Sequence, residues 1–243
     1  MIKNALTSLK PSVQNIVGNK GNLFLALIPI LIGILVFALL GSWAYGPLMD
    51  EGRVMIDNYL SEGALGSVVY YLIVAVLSVL LFFVVNWTFV LVVTVLASPF
   101  NDMLSKRVEK LLKGEELESF AASFAEITKT FLKTLFEEIK KISLILLLSL
   151  VAFVIGYIPI LTPLSLAITV ILLAISFIDY SWSRHSISFS ACIKDTKRNL
   201  LSYGLGGAFF FALVSIPIVN LLVSSWATSY FTVLWVKNNE HSN

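Results

Sequence analysis

Cysteine occurs once in this chain of 243 residues, at Cys192, and histidine twice, at His185 and His241. One thiol excludes an internal disulfide and a cysteine-only metal site. Two histidines far apart in sequence, one of them in a polar tail, leave no ligand set for a metal. Charge is scarce as well. Asp, Glu, Lys and Arg make up 13% of the chain against 58% hydrophobic residues, where a soluble domain carries about a quarter charged residues. The charges are also missing in blocks: none lies between Gly63 and Asn101, between Ile142 and Ile178, or between Asn199 and Val236. Such runs identify an integral membrane protein. There is no His-Glu-x-x-His, no phosphate-binding Gly-x-x-x-x-Gly-Lys, and no carboxylate pair inside an apolar run. The sequence therefore offers no catalytic constellation, no cofactor motif and no nucleotide drive. A net charge of +2 is too small to argue for nucleic acid.

What is present reads as an all-α membrane fold. Residues 1–22 carry Lys3, Lys10 and Lys20 and no acid. Ile2, Leu6, Leu9, Val13 and Ile16 recur there at helical spacing, interrupted by Pro11, which predicts a basic amphipathic lead-in at the interface. A first span covers 23–45, with Trp43 and Tyr45 as its aromatic belt. The loop 46–62 holds Asp50, Glu51, Asp57 and Glu62 against Arg53 alone. A second, over-long span covers 65–97. Asn86 is polar inside it, a candidate pathway residue by the rule that polar groups in lipid carry function; a helix–helix hydrogen bond is its structural alternative.

The Ser98-Pro99-Phe100-Asn101-Asp102 segment predicts a hinge where the second span leaves lipid, because Pro99 disfavours helix at the preceding residue. Residues 98–141 form cytoplasmic amphipathic helices, the first ending at Gly114, the second with a stripe from Leu117 through Phe120, Phe124, Ile127 and Phe131 to Ile139. The uncharged runs 142–178 and 199–236 each carry a proline turn near the middle, at Ile158-Pro159-Ile160-Leu161-Thr162-Pro163 and Ser215-Ile216-Pro217-Ile218-Val219-Asn220. Each arm of the first is short for a full crossing, which predicts two hairpins inserted part way into the bilayer, with Thr162 as an N-cap and Gly204, Gly206 and Gly207 permitting close packing. Residues 179–198 are a cytoplasmic loop and 237–243 a polar tail. Paired proline-interrupted segments in two halves point to a transport site. Nearly all Lys and Arg fall outside the first loop, which puts both termini in the cytoplasm.

Three stretches, Ala97-Ser98-Pro99-Phe100-Asn101-Asp102, Ile178-Asp179-Tyr180 followed by His185 and Phe189, and Ser215-Ile216-Pro217-Ile218-Val219-Asn220, occur in that order. With the Ile158-Pro159 turn, the chain resembles the CysZ sulfate-permease family of bacterial inner membranes over nearly its whole length. The resemblance implies two long spans plus partly inserted helix pairs, homo-oligomers in the bilayer, and uptake of sulfate or a similar anion for cysteine synthesis. It directs attention to Lys20, Gly21 and Asn22 as the substrate-binding segment. There the family pattern carries a Gly-Leu-Arg-Arg-like sequence, whereas this chain reads Gly21-Asn22-Leu23-Phe24, without the arginines. Backbone N–H groups opening a helix at Gly21 and Asn22 would still favour an anion. Asn101, Asp102, Glu138, Asp179 and His185 are the remaining pathway candidates. Each has a structural alternative, as a helix cap, an ion pair or a loop tie. A passive permease is the leading expectation, and a non-transporting scaffold or lipid-active protein is the other reading.

Overall fold

The computed structural model describes the backbone of residues 2–59, 64–214 and 216–240; within them, most side chains between 40 and 91, many between 120 and 144, and a few at 217–221 and 240 lie outside the description. Every described element is helical: α1 Ile2–Val17, α2 Lys20–Tyr59, α3 Ala64–Lys113, α4 Phe120–Gly156, a short 3-10 turn Pro159–Leu161, α5 Thr162–Arg184, α6 Phe189–Arg198, α7 Leu200–Val214 and α8 Pro217–Glu240. This is an all-α membrane protein. Lys20–Leu39 and Pro159–Arg184 are long and apolar enough to cross a bilayer among the described residues. The helices separate into two compact units, Met1–Ile30 with Ala97–Asn243, and Leu31–Leu96.

Several helices outrun the sequence expectation for one shared reason. Charge marks where lipid ends, but a helix needs only its own backbone hydrogen bonds. The first loop, 46–62, is therefore helical as far as Tyr59, and α8 continues through Lys237 into the tail. The 40 residues of α2 and 50 of α3 measure about 60 and 75 Å at 1.5 Å per residue, well beyond the hydrocarbon thickness. The helix does not end and restart at Pro99 as expected, and α3 runs through it. Proline removes one hydrogen bond from a helix interior, and burial of Ala97, Ser98, Leu104 and Val108 on the flanking turns holds α3 together across the gap. Likewise α4 is one helix from Phe120 to Gly156, joining the amphipathic stripe to the first arm of the hairpin. Gly114 does end α3, with a φ of 69°, which glycine adopts without steric cost.

The first hairpin is α4, the 3-10 turn and α5. Thr162 is the first residue of α5 rather than its cap, and its hydroxyl donates to the carbonyls of Gly156 (3.2 Å) and Ile158 (3.4 Å). With 23 residues, α5 is longer than the arm expected from the uncharged run, because it continues through Asp179 to Arg184. In the second hairpin Pro217 opens α8, where its missing N–H has no partner to lose.

The larger core gathers α1, α5, α7 and α8. Phe210 is fully buried and meets Trp226, Tyr230 and Phe231 at ring-centroid distances of 5.1 to 5.8 Å. A Cβ on Gly207 would lie 2.3 Å from the carbonyl oxygen of Val170, so α7 and α5 meet backbone to backbone, as small residues allow in membrane bundles. Helix α1 packs mainly through its small residues, and of the apolar stripe only Ile16 is buried, with Leu9 partly so. Ala5, Ser8, Ser12 and Ile16 are buried, whereas Ile2, Leu6, Val13 and Val17 are exposed. The small face lets α8 approach. Tyr230 donates to the Ala5 carbonyl (3.0 Å), Ser229 to the Ser12 carbonyl (2.8 Å), and Trp226 Nε1 to Ser12 Oγ (3.0 Å). A second core joins Ile16, Leu25, Ala26, Met103, Leu104, Val108 and Val233, seating the start of α2 on the last turns of α3.

Candidate functional site

The start of α2 is built from three helices. Asn19 caps it, its Oδ1 accepting from the N–H of Asn22 at 3.1 Å. Asn22 is fully buried. Its Nδ2 donates to the Asn15 carbonyl at the end of α1 (2.9 Å), and its Oδ1 accepts from Arg107 Nε on α3 (2.9 Å). Arg107 also donates through Nη1 to the Glu118 carbonyl (2.9 Å) and is 6% exposed. Gly21 lies directly against this group, since a Cβ there would be 2.8 Å from Arg107 Nη2. The sequence expectation that this segment has no arginine is therefore true along the chain and untrue in space. Arg107 delivers from α3 a planar guanidinium to the first turn of α2. Burial lowers the Arg107 pKa from its ordinary value, the nearby Glu118 charge acting against that shift. Lys20, next to Gly21 in the chain, is exposed. A helix N-terminus carries positive potential, so this corner combines two sources of positive field within one turn.

A second polar cluster forms where α3, α5 and α8 meet. Glu109 is 4% exposed and takes three partners: Lys113 Nζ (2.6 Å), Arg184 Nη1 (2.5 Å) and His185 Nε2 (2.7 Å). Burial alone would raise its pKa, but the bonds from Lys113 and His185 and the charge of Arg184 outweigh that and hold the carboxyl below its ordinary value. Arg184 also donates to Ser105 Oγ (2.8 Å) and the Asp102 carbonyl (3.4 Å), with Asp102 Oδ1 at 3.6 Å. The His185 ring stacks on Trp235, centroids 4.8 Å apart.

Two of the pathway candidates, Asp102 and His185, thus converge on Arg184 and Glu109. Asn101 faces elsewhere, donating to Ser224 Oγ on α8 (2.9 Å). Asp179 accepts from Ser183 one turn along its own helix (3.3 Å). The side chains of Asn86 and Glu138 lie outside the described residues. Lys20, Gly21 and Asn22 adjoin Arg107 in the first cluster. Sequence reasoning missed Arg107, Glu109 and Arg184. The signal for Arg107 was its place in the apolar stripe of Met103, Leu104, Val108 and Leu111, where a charge has to find a buried partner.

The family model described as Sulfate transporter CysZ/Etoposide-induced protein 2.4 matches residues 10–224.

The chain belongs to this family.

Proteins named Sulfate transporter CysZ are similar along most of it. The one from Pseudomonas paraeruginosa is 30% identical over 220 residues, covering 87% of this chain and 86% of its own length. That from Pseudomonas syringae pv. tomato is 31% identical over 219 residues, covering 87% and 83%. The Pectobacterium atrosepticum protein is 28% identical over 167 residues, covering 67% and 59%. The family description is that of a transporter, not of an enzyme. The matched range contains both clusters, from Asn15 and Asn22 to Arg107, Glu109 and His185.

Proposed function

We propose that this protein is a passive sulfate permease of a bacterial inner membrane, multi-pass and oligomeric, with both termini in the cytoplasm, supplying sulfate for cysteine synthesis. The observation that carries the reading is Arg107. Its guanidinium is buried against Gly21 at the opening turn of α2, in a chain whose relatives are named for sulfate transport. Its Nε, Nη1 and Nη2 donate to Asn22, Glu118 and Asn19, so it favours an anion through its fixed charge, and the helix N-terminus adds to that positive field. Lys20 supplies an outer charge that attracts the anion. Asn22 positions Arg107 rather than touching sulfate through its side chain, since both of its amide atoms are already bonded to protein. Asp102, Glu109, Arg184 and His185 form the ion-pair cluster beside the route. The absence of a nucleotide-binding motif from the sequence supports a passive mechanism.

The test is radiolabelled sulfate uptake into proteoliposomes containing only this protein. Uptake above that of empty vesicles is expected, and it should fall on Arg107→Ala by about tenfold, the worth of a partly buried charge at a helix terminus. No uptake above empty vesicles would put the scaffold or lipid-active reading in its place.

A further inference from the structure

The turn between α6 and α7 forms an open groove of about 400 Å³, lined by Lys197, Arg198, Leu200, Leu201, Gly204 and Leu205. Two cations adjacent in the chain and a set of leucines line it together. None of these residues belongs to the clusters described above. We infer that this groove binds one anionic phospholipid, its phosphate against Lys197 and Arg198 and an acyl chain along Leu200, Leu201, Gly204 and Leu205.

The surroundings fit a lipid. Leu200, Leu201 and Leu205 are 51%, 55% and 41% exposed, and exposed leucines grouped on one helix mark a surface that meets apolar material. Helix α6 continues the same surface. Phe189 and Ile193, one turn apart, are exposed, while Lys194 and Lys197 supply charge on the same helix. That is the composition of a helix lying in the interface plane. Gly204 leaves room on the wall of the groove, because a Cβ there would meet only Ile171 Cδ1, at 3.5 Å.

Arg198 is also fixed in place. Buried Asp195 accepts from Trp182 Nε1 (2.9 Å), Tyr203 OH (2.9 Å) and Asn199 Nδ2 (2.7 Å). Arg198 Nη2 donates to the same carboxylate (3.3 Å) and to Asn239 Oδ1 on α8 (2.9 Å), which orients the guanidinium while its side chain stays 46% exposed. Asp195 carries one negative charge, so it offsets one of the two positive charges of the pair and leaves the groove net positive. Lipid headgroup phosphate complements that charge, and the leucine wall selects a lipid over a free ion. The assignment does not depend on which anion the protein carries.

The experiment is native mass spectrometry of the full chain in detergent, titrated separately with phosphatidylglycerol and phosphatidylcholine, with inorganic phosphate as competitor. One phosphatidylglycerol per chain should be retained more tightly than phosphatidylcholine. Lys197→Gln should weaken that binding about fivefold, the worth of one cation near an anionic lipid surface. Leu201→Asp, on an exposed position, should abolish it with the melting temperature unchanged. Equal retention of the two lipids, displacement of lipid by millimolar phosphate, or unaltered binding in both variants would each overturn the assignment.

Discussion

Replacing Gly21 with alanine adds a single methyl group and tests the anion corner without removing a charge. The new Cβ would sit 2.8 Å from Arg107 Nη2, 3.4 Å from Arg107 Cζ and 3.3 Å from Asn19 Oδ1. Non-bonded heavy atoms settle at about 3.5 Å or beyond, so the guanidinium has to recoil by roughly 0.7 Å. It is held on its other edges by Asn22 Oδ1 and the Glu118 carbonyl, both at 2.9 Å. A recoil of that size takes at least one of these bonds outside hydrogen-bond range. Losing a bond to a charged group costs about 1.5–3 kcal/mol, while alanine in place of glycine returns up to about 1 kcal/mol of helix propensity. The fold should therefore lose between about 0.5 and 3 kcal/mol and remain intact in detergent. Sulfate flux should drop about tenfold, since the guanidinium charge no longer sits where the anion meets the helix N-terminus. The assay is the initial rate of sulfate uptake in proteoliposomes, normalised to reconstituted protein, with monodispersity checked by size-exclusion chromatography. A folded Gly21→Ala protein with undiminished flux would refute the placement of the anion at Arg107.

Lys20→Ala should reduce uptake by a smaller factor, because an exposed charge steers an anion and does not bind it. Leu23→Arg, at a position 37% exposed, should raise sulfate uptake, whereas Asn22→Arg should lower stability by breaking the ties to Asn15 and Arg107; both are read by uptake and thermal melting. Glu109 has a depressed pKa, so its contribution to stability is present above the ordinary value of 4.5 and is lost as pH falls through the lower folded value. The melting temperature in detergent should accordingly fall as pH drops below about 4.5, and Glu109→Gln should flatten that dependence. Labelling of Leu161→Cys in a Cys192→Ser background by an impermeant reagent from outside should be slow compared with Ser61→Cys, if the α4–α5 turn stops short of the far surface; equal rates would make α5 a full crossing.

Composition and charge spacing alone determined that this is an all-helical membrane protein with two proline-turn hairpins, because a bilayer demands apolar runs and satisfied backbone wherever it is met. The ordered motifs around Asn101, Asp179 and Pro217 were enough for the family resemblance. Helix ends were less legible. Charges at Asp50 and Asp179, and the proline at position 99, mark lipid boundaries and a missing hydrogen bond, yet α2, α3 and α5 continue past them because a helix is held by its own backbone bonds, helped at Pro99 by burial of the flanking turns. Least legible was the anion corner. Residues 20–24 contain no arginine, and nothing in local spacing says that a side chain 85 positions from Asn22 fills that role. Only the packing of α3 against the start of α2 brings Arg107 to Gly21. The same holds for Glu109, Arg184 and His185, since a pairing between distant residues is decided by the burial of whole helices, which one-dimensional periodicity does not encode.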